Sequence, residues 1–422
     1  MLNAARLWHA AHPLWLCAFR PFFTLTLLAG IGLLGLWLLF LGAGWPLPAV
    51  PGGAVVWHVH ELLLGVSLAA VAGFALTAVP EFTHTPAYDI RPVQQLVAWW
   101  LLGRLSFWLS GWWPAPALAV AALAHLAFML QLGALLLPRL WHDPGRRQLG
   151  FAWSIFALFI TIAGFYIDAL RDEAPMRWLH AMLGVLMALI VVAMSRISMA
   201  IVNDAIDIRR PQPGGPHATE DERAPYLARP PRRHLAVLCI SLFTVMHWHA
   251  PDSPVTGWLA LASAAALLNL LNDWHVGRPL LQRWPLMLYA CYVFMAAGYG
   301  LIGWLLLSGH GSTSPGIHLL STGALGLSVY TVIAIAGYTH SGLDKDGRRW
   351  VPIGAFLLGI AALARAFSPW WPDSPLLQGA GLLWCVAFGL QAVRMLPVFL
   401  RPRADGAEGC AGVVGRNSNR PA

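Results

Sequence analysis

Charged residues are scarce in this 422-residue chain: only 11% are Asp, Glu, Lys or Arg, whereas soluble globular proteins carry about 25%. Hydrophobic residues make up 58% of the chain, and the mean hydropathy is +0.62. A water-soluble fold of this length cannot bury so much apolar surface. The composition therefore excludes a soluble enzyme or binding module and predicts an integral membrane protein.

Cysteine is also scarce, and its five positions form no CxxC pair. The sequence therefore predicts neither a disulfide framework nor a zinc site. Four of the five cysteines lie in or near apolar segments, and we interpret them as small core residues. The basic residues form no single stripe or cluster, although the formal net charge is +8. Nucleic acid is therefore not an expected partner. The sequence also lacks a nucleophile–base–acid set and a phosphate-binding loop, which argues against hydrolytic or phosphoryl-transfer chemistry.

Long apolar runs, by contrast, are abundant. Runs of about 20 apolar residues match the hydrocarbon thickness of a bilayer, in which only helices and closed barrels satisfy their backbone hydrogen bonds. These runs are too long and too evenly apolar for the strands of a barrel, so we predict an all-α, polytopic transmembrane helix bundle. The twelve predicted spans are 22–42, 57–79, 93–111, 115–137, 149–170, 178–202, 234–250, 255–272, 286–308, 316–338, 351–370 and 376–400.

The positions of the Lys and Arg residues predict that both chain ends lie in the cytoplasm (N-in/C-in). With the N-terminus inside, 21 of the 27 basic residues fall in inner segments, two in outer loops and four within spans. Such a bias is typical of cytoplasmic loops. The first apolar run lacks a convincing cleavage site, so we interpret it as a span. The predicted organisation is six spans in 1–203, a cytoplasmic linker at 204–233, six spans in 234–400 and a disordered cytoplasmic tail at 401–422.

Histidine is abundant, with 16 residues, and six of them fall near the predicted outer face. These are His58 and His60 in span 2, His180 in span 6, His247 and His249 in span 7, and His318 in span 10. Ionisable side chains inside a membrane are costly and mark functional sites, and neutral imidazole is a common metal ligand. A single interfacial histidine is more often a lipid or backbone contact. Only the group as a whole therefore favours a metal or cofactor site.

A carboxylate, Glu61, follows directly after the first two of these histidines. Residues three apart share a helix face, so the spacing predicts His58 and Glu61 on one face and His60 pointing away. In a metal or haem site, Glu61 would orient the ligating imidazole by a hydrogen bond. The alternative is an N-terminal turn in which Glu61 complements the helix dipole.

Three spans that lie four spans apart share a histidine followed by a glycine. The pairs are His60 with Gly65, His180 with Gly184, and His318 with Gly323. Spans 2 and 10 also both end in Thr-His. A 4+4+4 repeat would explain the pattern, although such short matches also arise by chance.

Several motifs, taken as a set, resemble the NnrS family. They are residues 20–23 (RPFF), 57–61 (WHVHE), 73–80, 103–104, 316–318, 323–326, 339–342 and 383–394. The resemblance covers nearly the whole chain. It implies a twelve-span protein of the bacterial inner membrane that contains haem and copper and serves in the nitric oxide response. Two positions depart from the family pattern: Leu343 replaces an arginine, and Tyr289 stands where a histidine is often found.

The resemblance also implies roles for individual residues, together with a weaker likeness to the haem-copper oxidase core. That core has twelve spans, with histidine ligands on spans 2, 6, 7 and 10. By this analogy His58 or His60 and His318 ligate haem, and Arg104 pairs with a haem propionate. The copper ligands implied are His180, His247 and His249. The supporting motif residues are Glu61, Arg20, His84 and His340.

The leading interpretation is therefore an NnrS-like haem/copper membrane protein that protects against nitrosative stress and binds nitric oxide or a related small molecule. The resemblance specifies neither an electron donor nor enzymatic turnover. The alternative is a multi-pass transporter or permease without a redox cofactor, which suits Gly-rich spans and a 6+6 division. A transporter should carry its polar residues near the midplane, whereas these histidines lie toward the outer ends. A third interpretation is a membrane assembly scaffold without chemistry.

Overall fold

The computed structural model describes residues 7–146, 148–208, 226–344 and 348–410. Within these residues the regular structure is helical and no strand occurs, which confirms the predicted all-α class. Twelve long helices follow one another in this part of the chain. They are α1 Phe19–Ala43, α2 Gly53–Thr83, α3 Ile90–Leu109, α4 Pro114–His142, α5 Leu149–Leu170, α6 Met176–Ile208, α7 Pro230–His249, α8 Pro254–Leu271, α9 Arg283–Ser308, α10 Ser314–Thr339, α11 Trp350–Phe367 and α12 Leu376–Phe399.

Proline and glycine set many of the helix ends. Pro114, Pro230 and Pro254 open α4, α7 and α8, where the missing N–H of proline costs no intrahelical hydrogen bond. Gly44 and Gly309 follow α1 and α9 in the left-handed conformation, which glycine adopts without a Cβ clash. The boundaries of these helices therefore follow from local sequence.

Ten of the described helices are long and apolar enough to cross a membrane, which confirms a multi-pass membrane protein. The other two, α3 and α7, have 20 residues each and are less apolar. Both still expose large apolar side chains: Leu105 on α3 is 62% accessible and Val245 on α7 is 66% accessible. Such exposed apolar surface is typical of a membrane contact. Twelve spans with both chain ends in the cytoplasm remain our prediction.

The chain forms two compact units whose boundaries fall inside or next to helices. Unit 1 comprises Met1–Met182, Val332–Leu357 and Gln378–Ala422, and unit 2 comprises Leu183–Thr331 and Leu358–Leu377. Much of the predicted linker (209–225) and of the predicted tail (411–422) lies outside the described residues. The division into two groups of six spans therefore stays a prediction.

Helices α2 and α10 each contain a π-helical segment directly after a histidine. In α2 the segment is Glu61–Ser67, which follows His60. In α10 it is Leu319–Gly326, which follows His318. π turns are rare and occur frequently at functional sites. The π segments therefore favour a functional role for the histidines that precede them, His60 and His318.

The π segments also account for a difference in spacing among the three related spans. The glycine follows the histidine by five residues in α2 and α10, but His180 and Gly184 in α6 are only four residues apart. Helix α6 is α-helical throughout. Because a π turn holds one residue more than an α turn, the longer spacing belongs where the π segments are. This correspondence is consistent with the predicted repeat of four spans.

Candidate functional site

His60 and Glu61 are fully buried in unit 1, at the point where the π segment of α2 begins. Oε1 of Glu61 accepts a hydrogen bond from Nδ1 of His60 at 3.0 Å and a second one from Nη2 of Arg104 at 2.6 Å. Hydrogen bonds between charged groups are strong, and burial strengthens them further. Because a carboxylate only accepts, His60 carries its proton on Nδ1 and a lone pair on Nε2.

This pairing differs from the one that α-helical spacing predicts. The prediction placed Glu61 beside His58 and turned His60 away, and it is wrong, since Glu61 bonds to His60. The π turn begins at Glu61, so α-helical spacing does not apply there, and the flexible Glu61 side chain reaches back to its neighbour. The half-buried ring of His58 instead stacks on Trp37, with 4.3 Å between ring centroids.

Tyr166 on α5 joins His60 to a second buried histidine, His125 on α4. The Tyr166 hydroxyl oxygen lies 3.2 Å from Nε2 of His60 and 2.8 Å from Nδ1 of His125. Nδ1 of His125 also lies 3.0 Å from the carbonyl oxygen of Ala121, which can only accept, so this nitrogen carries the proton. The Ala121 carbonyl and the Tyr166 hydroxyl share the Nδ1–H of His125, and Tyr166 donates to Nε2 of His60. The result is a hydrogen-bond chain that runs from His125 through Tyr166 and His60 to Glu61.

Aromatic rings enclose this group, which we call the polar cluster. Its members are His60, Glu61, Arg104, His125 and Tyr166. The ring of Phe107 stacks on His60 with 3.6 Å between centroids, and Phe165 lies 5.1 Å from the same ring. Both phenylalanines are buried. The polar cluster is therefore held in an apolar surrounding that strengthens its hydrogen bonds.

Two glycines make room for the polar cluster. A Cβ on Gly65 would collide with the guanidinium group of Arg104, and one on Gly103 would collide with the ring of His125. Glycine inside a helix costs about 0.5–1 kcal/mol relative to alanine. The close approach of these side chains to the helix backbones explains why glycine stands at both positions.

The polar cluster lies nearer one end of its four helices. His60 is seven residues after the start of α2, and His125 is eleven after the start of α4. Arg104 is five residues before the end of α3, and Tyr166 is four before the end of α5. With a rise of 1.5 Å per residue, each lies within about 17 Å of its helix end. In the predicted topology these are the outer ends.

Several buried atoms of the polar cluster have no hydrogen-bond partner. They are Oε2 of Glu61, Nε and Nη1 of Arg104, and Nε2 of His125. Buried polar atoms are nearly always hydrogen-bonded, and each unpaired one costs about 1–3 kcal/mol. Four such atoms in one place are typical of a site that serves a ligand or a reaction. The polar cluster is therefore the candidate functional site of the described residues.

The other predicted ligands lie at or near helix ends. His180 is half-buried in the first turns of α6, while His247 is half-buried and His249 exposed at the end of α7. His318 donates from Nδ1 to the carbonyl oxygen of Ser314 at 2.8 Å. Across residues 7–146, 148–208, 226–344 and 348–410, no three His, Cys, Asp or Glu side chains are close enough to hold a metal ion.

The predicted motif residue Arg20 lies elsewhere in unit 1 and binds backbone. Its guanidinium group is fully buried, and Nη1 donates to the carbonyl oxygens of Pro13 at 2.9 Å, Phe399 at 3.3 Å and Arg401 at 2.6 Å. The arginine of the RPFF motif therefore joins the segment before α1 to the segment after α12.

His340 also binds the segment after α12. Nδ1 of His340 donates to the carbonyl oxygen of Cys410 at 2.9 Å, and Nε2 lies 3.6 Å from a carboxylate oxygen of Glu81. Burial lowers the pKa of His340 below its ordinary value, so the ring is neutral at pH 7. The remaining motif residue, His84, is exposed and ends α2 in the left-handed conformation with φ of 52°.

Two members of the polar cluster were not among the predicted site residues. His125 carries a signal in the sequence, since an ionisable residue in the middle of an apolar span is costly. Tyr166 carries none, because tyrosine near a span end is typical of the membrane interface. Only the packing of α2, α4 and α5 brings these side chains together.

The fold and the polar cluster together define a multi-pass α-helical membrane protein with a buried ionisable site. The chain matches the family model described as NnrS protein over residues 13–403, a range that includes the whole polar cluster. It therefore belongs to the NnrS family, as its motifs predicted. A comparison with curated proteins finds no match.

Proposed function

We propose that this NnrS-family chain is a haem- and copper-containing redox protein of the bacterial inner membrane that acts in the nitric oxide response. The haem, the copper and the physiological role are implied by the family resemblance. The observation that carries the proposal is the polar cluster, in which a buried imidazole is oriented by a carboxylate beside unpaired polar atoms.

The donor chemistry of the polar cluster fits a haem ligand. Nδ1–H of His60 is bonded to Glu61, so Nε2 is the nitrogen of this ring that would bind a haem iron. The unpaired Nε and Nη1 of Arg104 suit a propionate carboxylate. A bound haem would supply an iron that takes up nitric oxide or a similar diatomic molecule. Tyr166 now bonds to Nε2, so ligation requires this hydrogen bond to be given up.

The copper half of the proposal has less support from the structure. His180, His247 and His249 lie at or near the ends of α6 and α7, and the described residues contain no group of three metal-binding side chains. Copper therefore rests on the family resemblance alone. The proposal also keeps the likeness to the haem-copper oxidase core. It rests on the presence of histidines on the same four spans, α2, α6, α7 and α10.

The polar cluster also supports the transporter alternative. A buried Glu61–Arg104 pair inside a membrane bundle is equally typical of a substrate or ion pathway. The two functions differ in one observable, the visible absorption of the purified protein.

The test is to purify the full chain from cells supplied with iron and copper and to record its reduced-minus-oxidised spectrum and metal content. We expect a haem band that His60→Ala removes and His58→Ala retains. These two histidines are two residues apart on one helix, so each variant controls for the other. A wild-type protein without absorption or bound iron would overturn the redox proposal in favour of a transporter. Loss of the band in His58→Ala alone would identify His58, and not His60, as the haem ligand.

The physiological role has its own test. Cells that lack this chain should grow more slowly than wild-type cells when a nitric oxide donor is present, and equally well without it. Plasmid-borne wild-type protein should restore growth and His60→Ala should not, at matched protein levels in the membrane. Equal growth of all strains under the donor would exclude a protective role.

A further inference from the structure

The last described residues after α12 form a strap that folds back onto the start of α1. We define the tail strap as residues 400–410. Its backbone is bound by Arg20 at Arg401, by Ser341 at Ala404 and by His340 at Cys410. All of these residues belong to unit 1. Three residues of the family motifs therefore anchor this segment independently of any covalent bond.

Charged side chains within the tail strap fix its shape. Nη2 of Arg403 pairs with Oδ2 of Asp405 at 2.6 Å, and Nη1 of Arg403 donates to the carbonyl oxygens of His340 at 3.2 Å and Gly409 at 3.3 Å. The bond from Arg403 lowers the pKa of Asp405 to about 2, so the pair stays charged at neutral pH. Arg403 is buried. The position of the following cysteine is therefore determined by several hydrogen bonds.

That cysteine, Cys410, meets Cys17, which lies 393 residues earlier in the chain. Their sulfur atoms are within bonding distance, and their Cα atoms are 5.0 Å apart, inside the range of about 4.4–6.8 Å that a disulfide needs. The sequence predicted no disulfide, because nothing in the spacing of five scattered cysteines reveals a contact across 393 residues. The other three cysteines, Cys239, Cys291 and Cys385, are not paired with one another.

We propose that Cys17 and Cys410 form a reversible disulfide that fastens the tail strap to the start of the chain. Reversibility rests on the predicted topology, which places both cysteines on the cytoplasmic side. Thiols there are kept reduced, and a disulfide that forms is typically transient and redox-sensing. A chain that responds to nitrosative stress would meet oxidised low-molecular-weight thiols at this face. The pair is thus a modification site separate from the polar cluster.

The burial of the two cysteines sets the order of the chemistry. Cys410 is half-buried, whereas Cys17 is only 3% accessible. The Cys410 thiolate attacks one sulfur of a small disulfide, RSSR, so that its S–S bond breaks and a mixed disulfide and RS⁻ result. The Cys17 thiolate then attacks the Cys410 sulfur and expels the second RS⁻. The chain loses two electrons and two protons, and RSSR becomes two RSH. Excess thiol reverses both steps.

The experiment uses the full chain in detergent, treated with glutathione disulfide or dithiothreitol, then blocked with an alkylating agent and mapped by peptide mass spectrometry. We expect a Cys17–Cys410 linked peptide after oxidation that dithiothreitol removes without unfolding the protein. Cys385→Ser, the matched control, should retain it. Separately alkylated Cys17 and Cys410 in the oxidised wild type would overturn the pairing. A link that resists dithiothreitol until unfolding would overturn its reversibility.

Two single variants test the order of the steps. With glutathione disulfide, Cys17→Ser should trap glutathione on Cys410. In Cys410→Ser, the fraction of Cys17 that carries glutathione should be several-fold lower than the fraction of Cys410 that carries it in Cys17→Ser. The reverse pattern would overturn the order. Because the linkage assay needs only wild-type protein, a misfolded variant cannot hide the result. Trypsin cleavage after Arg403 should also rise several-fold on reduction, and an unchanged rate would show that the disulfide does not fasten the tail strap.

Discussion

The carboxylate of Glu61 lies 2.6 Å from Nη2 of Arg104, and both side chains are buried between helices of a membrane protein. Two opposite charges at this distance stabilise each other only while both are present. Removing one partner of a buried pair leaves an uncompensated charge, which costs about 3–5 kcal/mol.

Glu61→Gln should therefore lower the free energy of unfolding by about 3–5 kcal/mol, because Arg104 loses its counter-charge. Reversible denaturation in mixed micelles measures the change. Glu173→Gln is the matched control: its side chain is 52% exposed and lies 3.6 Å from Arg177, so stability should hardly change. Equal stability of wild type and Glu61→Gln would show that the pair is not formed.

Tyr166→Phe should destabilise the protein by about 1–3 kcal/mol, because Nε2 of His60 loses its hydrogen-bond donor in a buried place. Tyr299→Phe provides the opposite case, since the Tyr299 hydroxyl is buried without a partner. Its removal should leave stability unchanged or increase it. The same denaturation measurement compares the two, and a larger loss in Tyr299→Phe would contradict the assignment of Tyr166 to the hydrogen-bond chain.

Gly65→Ala and Gly103→Ala should each destabilise the protein by about 1–3 kcal/mol, because the added methyl group collides with Arg104 or His125. Gly32→Ala is the control, since a Cβ there meets no atom within 4 Å. That substitution should be neutral or stabilise α1 by about 0.5–1 kcal/mol. Thermal unfolding followed by tryptophan fluorescence ranks the three variants, and equal midpoints would argue against the packing described for the polar cluster.

His340 should make stability depend on pH. Burial lowers the pKa of His340 below its ordinary value of 6.5, so between these two values the unfolded chain binds more protons than the folded one. The contribution of His340 is therefore complete above about pH 6.5 and is lost as the pH falls through the folded pKa.

The measurement is the unfolding midpoint of wild type and His340→Gln between pH 5 and 7.5. The variant should lose part of the acid sensitivity, because glutamine can still donate to the Cys410 carbonyl but does not titrate. His310→Gln, at an exposed position, should follow the wild-type curve. Parallel curves for wild type and His340→Gln would refute the prediction.

The helical class and most helix positions could be predicted from the apolar runs, but their ends could not. The second predicted span, 57–79, lies within Gly53–Thr83, and the sixth, 178–202, lies within Met176–Ile208. Hydropathy detects only the part of a helix that matches the hydrocarbon layer. Where proline or glycine marks a boundary, as at Pro114 and Gly44, the physical reason is local and visible in the sequence.

The candidate site was predicted in part. The WHVHE motif and the Gly103–Arg104 pair identified His60, Glu61 and Arg104, while α-helical spacing assigned the wrong histidine to Glu61. The contact between Tyr166 and His125 joins residues 41 positions apart on different helices. Periodicity determines which face of a helix is apolar, but it does not determine which helices meet, so no local pattern could reveal this contact.

The π segment of α2 has a consequence for the rest of that helix. A π turn holds one residue more than an α turn, so the extra residue within Glu61–Ser67 is taken up inside the segment. The residues after the segment therefore keep the orientation that a regular α-helix one residue shorter would give them, and Gly73 still admits the side chains of Phe22 and Phe23 because it lacks a Cβ. Deleting one residue within Glu61–Ser67 should convert the segment to α-helix and leave Gly73 packed against α1.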